Sequence, residues 1–187
     1  MIVSPANANR TAPPPKIVPL ITEAEIHARV IALASEIAPR LQPGTVVVAL
    51  LKGAFVFAAD LLRELSRHEL DINLDFMVLS SYGNDTRSSG RVLINLDCQK
   101  LVENRDVLLL DDILDSGNTL TFAVEHMRFK GAERILTCVL LDKPLRRQTA
   151  FQADFVGFTI PDLFVVGYGI DHAERFRELP FIGHLEE

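Results

Sequence analysis

The chain has 187 residues, a formal net charge of −6 and 48% hydrophobic residues, which is the size of one ordinary globular domain with enough apolar side chains for a sizeable core. The acidic balance disfavours a nucleic-acid partner, which needs basic surface to displace counterions from phosphate, and no apolar run approaches the roughly 20 residues that span a bilayer, so a membrane is excluded. Cys98 and Cys138, far apart and each within an apparent strand, point to free thiols in a reducing compartment, the cytoplasm. Met1 to Lys16 lacks a charged leader and an apolar stretch and holds Pro13 to Pro15; it is expected to be a mobile tail, with one domain over 17–187.

Thr22 and Glu25 have capping-box spacing, and Ile26, Val30, Leu33, Ala34, Ile37 and Leu41 recur at helical intervals, so a helix is predicted from Thr22 to Leu41, stopped by Pro43-Gly44. Thr45 to Leu51 is continuously apolar and β-branched, the pattern of a strand covered on both faces. Lys52-Gly53 ends it, Ala54 to Arg67 reads as a helix, and Asp71 to Leu79 as another strand. Ser80 to Gly90 is a long polar loop before a strand at Arg91 to Leu96. Val107 to Leu110 is a short buried strand, Thr119 to Lys130 a helix ended by Gly131, and Arg134 to Leu141 a further strand. This is the rhythm of an α/β fold with a twisted, mainly parallel sheet flanked by helices. After Pro144 come short strands at Phe155 to Phe158 and Phe164 to Tyr168, predicted to form a small C-terminal hood over the sheet's edge.

Ligands of open α/β sheets bind at the carboxyl ends of strands, and there VLLL runs into Asp111 and Asp112. The following Asp115, Ser116, Gly117, Asn118 and Thr119 offer successive backbone N–H groups and two hydroxyls at a helix N-terminus, where the helix dipole favours phosphate. The turn has no lysine, so it is not a GxxxxGK[ST] loop, and a nucleoside triphosphatase loses its main support. Two carboxylates beside a phosphate site make sense as acceptors for ribose hydroxyls and as neighbours of hydrated magnesium. An ordinary capped strand-turn-helix is the bland alternative; the order of two strand-end acids, a third acid and SGNT argues against it.

The stretch Val107 to Leu120, VLLLDDILDSGNTL, resembles the phosphoribosyl diphosphate (PRPP) motif of the type I phosphoribosyltransferases, and from about Val18 to Leu185 the chain is similar to the hypoxanthine-guanine phosphoribosyltransferases. The resemblance implies that Asp111 and Asp112 hold the ribose hydroxyls and neighbour the metal, that Ser116, Gly117, Asn118 and Thr119 hold the 5'-phosphate, and that Asp115 exchanges a proton with N7 of the base. It implies a diphosphate loop at Leu51-Lys52-Gly53 with a non-proline cis peptide, and a flexible loop beginning at Ser81-Tyr82 that closes over the reacting centre. Lys143 would donate to a 6-oxo group, which an ammonium favours over the 6-amino group of adenine. In FVGFTIPDLFVVGYGIDHAERFREL, Phe164 would stack on the base, Val165 would offer backbone groups to its edge, Asp171 would contact a magnesium-bound water and Arg177 would bind diphosphate. Taken singly, Phe164 reads as core and Arg177 as surface charge; their joint order with Asp171 reverses that.

What the resemblance implies is purine salvage: Mg2+-dependent transfer from PRPP to hypoxanthine or guanine, giving IMP or GMP and diphosphate, by a homodimer or homotetramer. Many family members carry Glu-Asp where this chain has Asp111-Asp112, and some carry lysine where it has Asn118. An adenine- or xanthine-preferring enzyme is the runner-up, and a nucleotide-sensing RNA-binding regulator of the same fold the reading from another class. The five histidines, His27, His68, His126, His172 and His184, show no metal-ligand spacing and are read as surface or local structural residues.

Overall fold

A computed structural model describes residues 15–81 and 92–186. Nine strands and three helices follow one another as β1 (Ile17–Ile21), α1 (Glu23–Ile37), β2 (Thr45–Leu51), α2 (Phe55–Leu65), β3 (Ile72–Ser81), β4 (Val92–Leu96), β5 (Asp106–Leu114), α3 (Asn118–Phe129), β6 (Arg134–Asp142), β7 (Phe155–Thr159), β8 (Val165–Val166) and β9 (Ile182–Leu185) among the described residues. The larger sheet runs β4-β3-β2-β5-β6-β7, parallel throughout except for β4, which returns antiparallel along β3 at one edge. The mobile tail expected before residue 17, up to position 14, and the loop from Tyr82 to Arg91 lie outside the described residues.

The sheet owes its place to the run TVVVALL. In a strand, alternate side chains face opposite ways, so Val47 and Ala49 join Leu108, Leu110, Cys138 and Leu140 in a core beneath α1 and α2, while Val46, Val48 and Leu50 join Val107, Leu109 and Val139 beneath α3. The first helix begins at a true capping box, with Thr22 Oγ1 accepting from the Glu25 N–H and the Glu25 carboxylate accepting from the Thr22 N–H at 2.8 Å. It ends at Ile37, four residues short of the predicted Leu41, because Pro39 draws the next turn into a 3-10 helix, Ala38–Arg40.

Further expectations need correction. The strand predicted at Val107 to Leu110 continues to Leu114, so Asp111 and Asp112 belong to it; pairing with β6 persists from Asp111↔Val139 to Leu114↔Asp142 and overrides the poor strand propensity of aspartate. Phe155 to Phe158 belongs to the large sheet, beside β6, and not to the hood. The hood is instead a three-stranded antiparallel sheet, β1-β9-β8, whose members lie at opposite ends of the chain. Cys98 sits in the connection after β4 and not in a strand, although both cysteines are buried and free.

Candidate active site

The carboxyl ends of β2 and β5 lie side by side, and the groups singled out in the sequence gather there. Asp111 is 7% exposed, and its Oδ1 accepts from the Asp112 N–H at 3.0 Å. Burial, and then the neighbouring Asp112 charge, push the Asp111 carboxyl well above the ordinary aspartate range. Burial raises Asp112 as well, against its hydrogen bond to Asp111, the Ile113 N–H and the charge of Arg177. Two acids kept this way carry an electrostatic strain that a cation, or donors from hydroxyls, would relieve. No group of three or more metal-type side chains forms among the described residues, so Asp111, Asp112 and Asp171 do not make one cage.

The turn after β5 sits at the start of α3, with Gly117 at the N-cap in a left-handed conformation, φ +88°, that a glycine adopts without cost. Ser116, Gly117 and Thr119 line a small recess with Asp111 and Asp115. Asn118 N–H donates to Ser116 Oγ at 3.3 Å, and the Asn118 side chain turns to Gln148. Asp115 Oδ1 stands 3.3 Å from Arg146 Nε without a hydrogen-bonding alignment. A far larger hollow, about 950 Å³, opens between α1, α2 and the hood, but it holds none of the strand-end acids.

The Leu51–Lys52 peptide after β2 is cis, as the resemblance implied. The loop it forms touches both neighbouring parts of the site: a methyl built on Gly53 would overlap the Asp112 carboxylate, and one built on Gly169 would overlap the Gly53 carbonyl oxygen. Lys52 Nζ lies 3.0 Å from Glu174 Oε1. Arg177 donates from Nη1 to Gly169 O at 2.8 Å, while its Nη2 pairs with Asp171 Oδ1 at 2.7 Å and with Glu174 Oε2 at 3.2 Å. Arg177 is therefore a bracket for the hood's tight turn, with part of its five-donor fork left over.

On the far side, Lys143 follows β6, is 6% exposed and donates from Nζ to Leu163 O at 2.7 Å. Desolvation draws its pKa below the usual lysine value. Leu163 leads into Phe164, which is 56% exposed with the His172 ring edge-on to it at 5.1 Å, and then into the buried Val165. An exposed aromatic ring beside a buried cation and a backbone carbonyl is a place for a flat polar ring. Ser81 ends β3, its partner across the sheet being Val92; Tyr82 lies outside the described residues.

The sequence pattern did not single out Glu174, which bridges Lys52 and Arg177, nor the Tyr168–Asp60 contact, in which the buried phenol donates to Asp60 Oδ2 at 2.6 Å and ties the hood to α2. Partners separated by 122 and 108 residues leave no local signal.

A mainly parallel sheet with buried acids and a glycine turn at its carboxyl edge, under a small antiparallel hood, defines an α/β protein built to hold a ligand across that edge. The phosphoribosyl transferase domain model matches residues 22–173. A hypoxanthine-guanine phosphoribosyltransferase of Bacillus subtilis is 47% identical over 89% of this chain and 92% of its own length, and a hypoxanthine phosphoribosyltransferase of Escherichia coli is 44% identical over 89% and 93%. The crystal structure of a hypoxanthine-guanine phosphoribosyltransferase from Bacillus anthracis is similar with a TM-score of 0.86 and 42% identity, covering 91% of this chain and all of that one. The chain belongs to the phosphoribosyltransferase family.

Proposed function

We propose that this chain transfers the 5-phosphoribosyl group of PRPP to N9 of hypoxanthine or guanine, releasing diphosphate and serving purine salvage. The observation that carries this reading is the convergence on one sheet edge of the Asp111–Asp112 pair, the Ser116–Thr119 turn, the Lys52-Gly53 loop and the buried Lys143. The names of the relatives support the substrate class.

In this reading the turn's backbone N–H groups and the Ser116 and Thr119 hydroxyls hold the 5'-phosphate, and Asp111 and Asp112 accept from the ribose hydroxyls. Phe164 stacks on the purine, Val165 lends backbone groups to its edge, and Lys143 donates to O6. N9 forms its bond to the anomeric carbon as the bond to diphosphate breaks, with inversion, and the N7 proton passes to the Asp115 carboxylate. Arg177, Lys52 and the Gly53 backbone face the charge that develops on diphosphate, so their contacts strengthen in the transition state. The crowded, poorly solvated oxygens of Asp111 and Asp112 fit Mg2+, which would be held by these two through oxygen and water, with Asp171 reached through a bound water; it would neutralise the leaving diphosphate. Ser81 and Tyr82 start the loop that excludes water.

The same reading includes assembly as a homodimer or homotetramer and residence in the cytoplasm, supported by two free thiols; no helix among the described residues is long and apolar enough to cross a membrane. The test is nucleotide formation from PRPP and Mg2+ with hypoxanthine, guanine, xanthine and adenine in parallel, beside Asp115→Asn. Rapid IMP and GMP formation, lost in the variant, supports the reading. Preference for adenine or xanthine would reassign the base, and no transfer to any purine would favour the RNA-binding regulator.

A further inference from the structure

Behind the turn at residues 116–119 stands a wall built from the segment that follows Lys143. Gln148 N–H donates to Ser116 O at 2.9 Å, Asn118 Nδ2 donates to Gln148 Oε1 at 3.4 Å, and Thr149 Oγ1 lies 3.5 Å from Ser116 O. The turn has no slack on this side, because a methyl on Gly117 would overlap Thr149 Oγ1 and stand 3.2 Å from Arg147 Cδ. The turn's course is thus set from behind, by residues 147–149, as well as by β5 and α3.

Arg147 is the unusual member of the wall. Its side chain is only 15% exposed, Nη2 pairs with Asp142 at the end of β6, and Nη1 is buried without a hydrogen-bond partner among the described residues. A guanidinium taken this far out of water, with a donor unmet, is dearer than an apolar side chain of similar length would be. Stability alone does not account for it.

We infer that Arg147, held by Asp142, is a positioning residue for the phosphate turn. Its stem backs Gly117 while the following Gln148 and Thr149 hold Ser116 O, so that the turn's backbone N–H groups keep their aim. The inference rests on reading residues 116–119 as the phosphate site.

The experiment measures IMP affinity by calorimetry, together with KM for PRPP and for hypoxanthine, on the full chain, Arg147→Met and a control, Thr119→Ala. Arg147→Met is expected to weaken IMP and raise KM for PRPP at least tenfold, while KM for hypoxanthine moves less than twofold. A general loosening of the fold would move all three together. Should the methionine variant not fold, Arg147→Lys keeps a charge but loses the planar fork that meets Asp142, and is expected to show the same split at about threefold. If Thr119→Ala shows the split and neither Arg147 variant does, the inference is overturned; if Thr119→Ala shows none either, the phosphate reading itself fails.

Discussion

Gly53 and Asp112 are in backbone-to-carboxylate contact: the space a β-carbon of residue 53 would need is filled by the Asp112 carboxylate. The loop after β2 and the acid pair of β5 therefore hold one another in register. Gly53→Ala must displace one or the other, and misplacement of catalytic groups by about 1 Å costs on the order of 10²-fold in rate. The expected outcome is a fall of about that size in kcat/KM for PRPP, with the thermal midpoint changed little because Lys52-Gly53 lies past the end of β2, outside both core clusters. A variant of normal rate would show that the contact gives way without consequence.

Asp111→Asn should stabilise the ligand-free protein while destroying activity. The folded-state pKa of Asp111 is raised from 3.8, so the unfolded chain gives up its proton first, and stability falls as pH climbs from about that value through the folded one. Above the unfolded value the buried acid is a net cost to folding, which asparagine removes while its amide oxygen still accepts from the Asp112 N–H. A gain of about 1 kcal/mol would raise the melting point by about 2–4 °C. Calorimetry from pH 4 to 8 should show that gain growing with pH, and a lower melting point in the variant at pH 8 would contradict the electrostatic account.

Lys143 carries a pKa lowered by desolvation, so its ammonium is lost at a pH below that of an ordinary lysine. The alkaline limb of kcat/KM for hypoxanthine is expected to fall in that lower range. Lys143→Met removes a charge-assisted hydrogen bond of about 1.5–3 kcal/mol, or roughly 10- to 100-fold in kcat/KM for 6-oxopurines. Adenine turnover should fall by much less. An equal loss on both bases would assign Lys143 a packing role only.

The two thiols should be inert in the native protein. Cys98 is pushed up to about 12 by burial and by the nearby Asp75 carboxylate, and burial raises Cys138 also, so almost no thiolate exists at neutral pH. Ellman's reagent should find no rapidly reacting thiol before unfolding and two after it. Fast native labelling of either cysteine would mean that its element opens locally.

The sequence alone determined the large elements and the chemistry of the strand end. Thr45–Leu51 could be read to the residue because a buried parallel strand is apolar throughout, and the first helix announced its start by the Thr22–Glu25 box. Asp111, Asp112, Ser116 and Gly117 stood out because their types and order carry a local mechanism: acceptors at a strand end, then N–H donors at a helix start. Tertiary structure decided the rest. Ile17–Ile21 becomes a strand only by pairing with Ile182–Leu185, Ile17 with Leu185 and Ile21 with Ile182, at opposite ends of the chain, so neither segment had a local signature and the hood's composition was misread. The same holds for the side chains that tie the site together. Asp60 with Tyr168, Glu174 between Lys52 and Arg177, and Arg147 behind Gly117 are each ordinary residues where they stand in the chain, and they acquire a role only when folding brings distant parts of the chain against them.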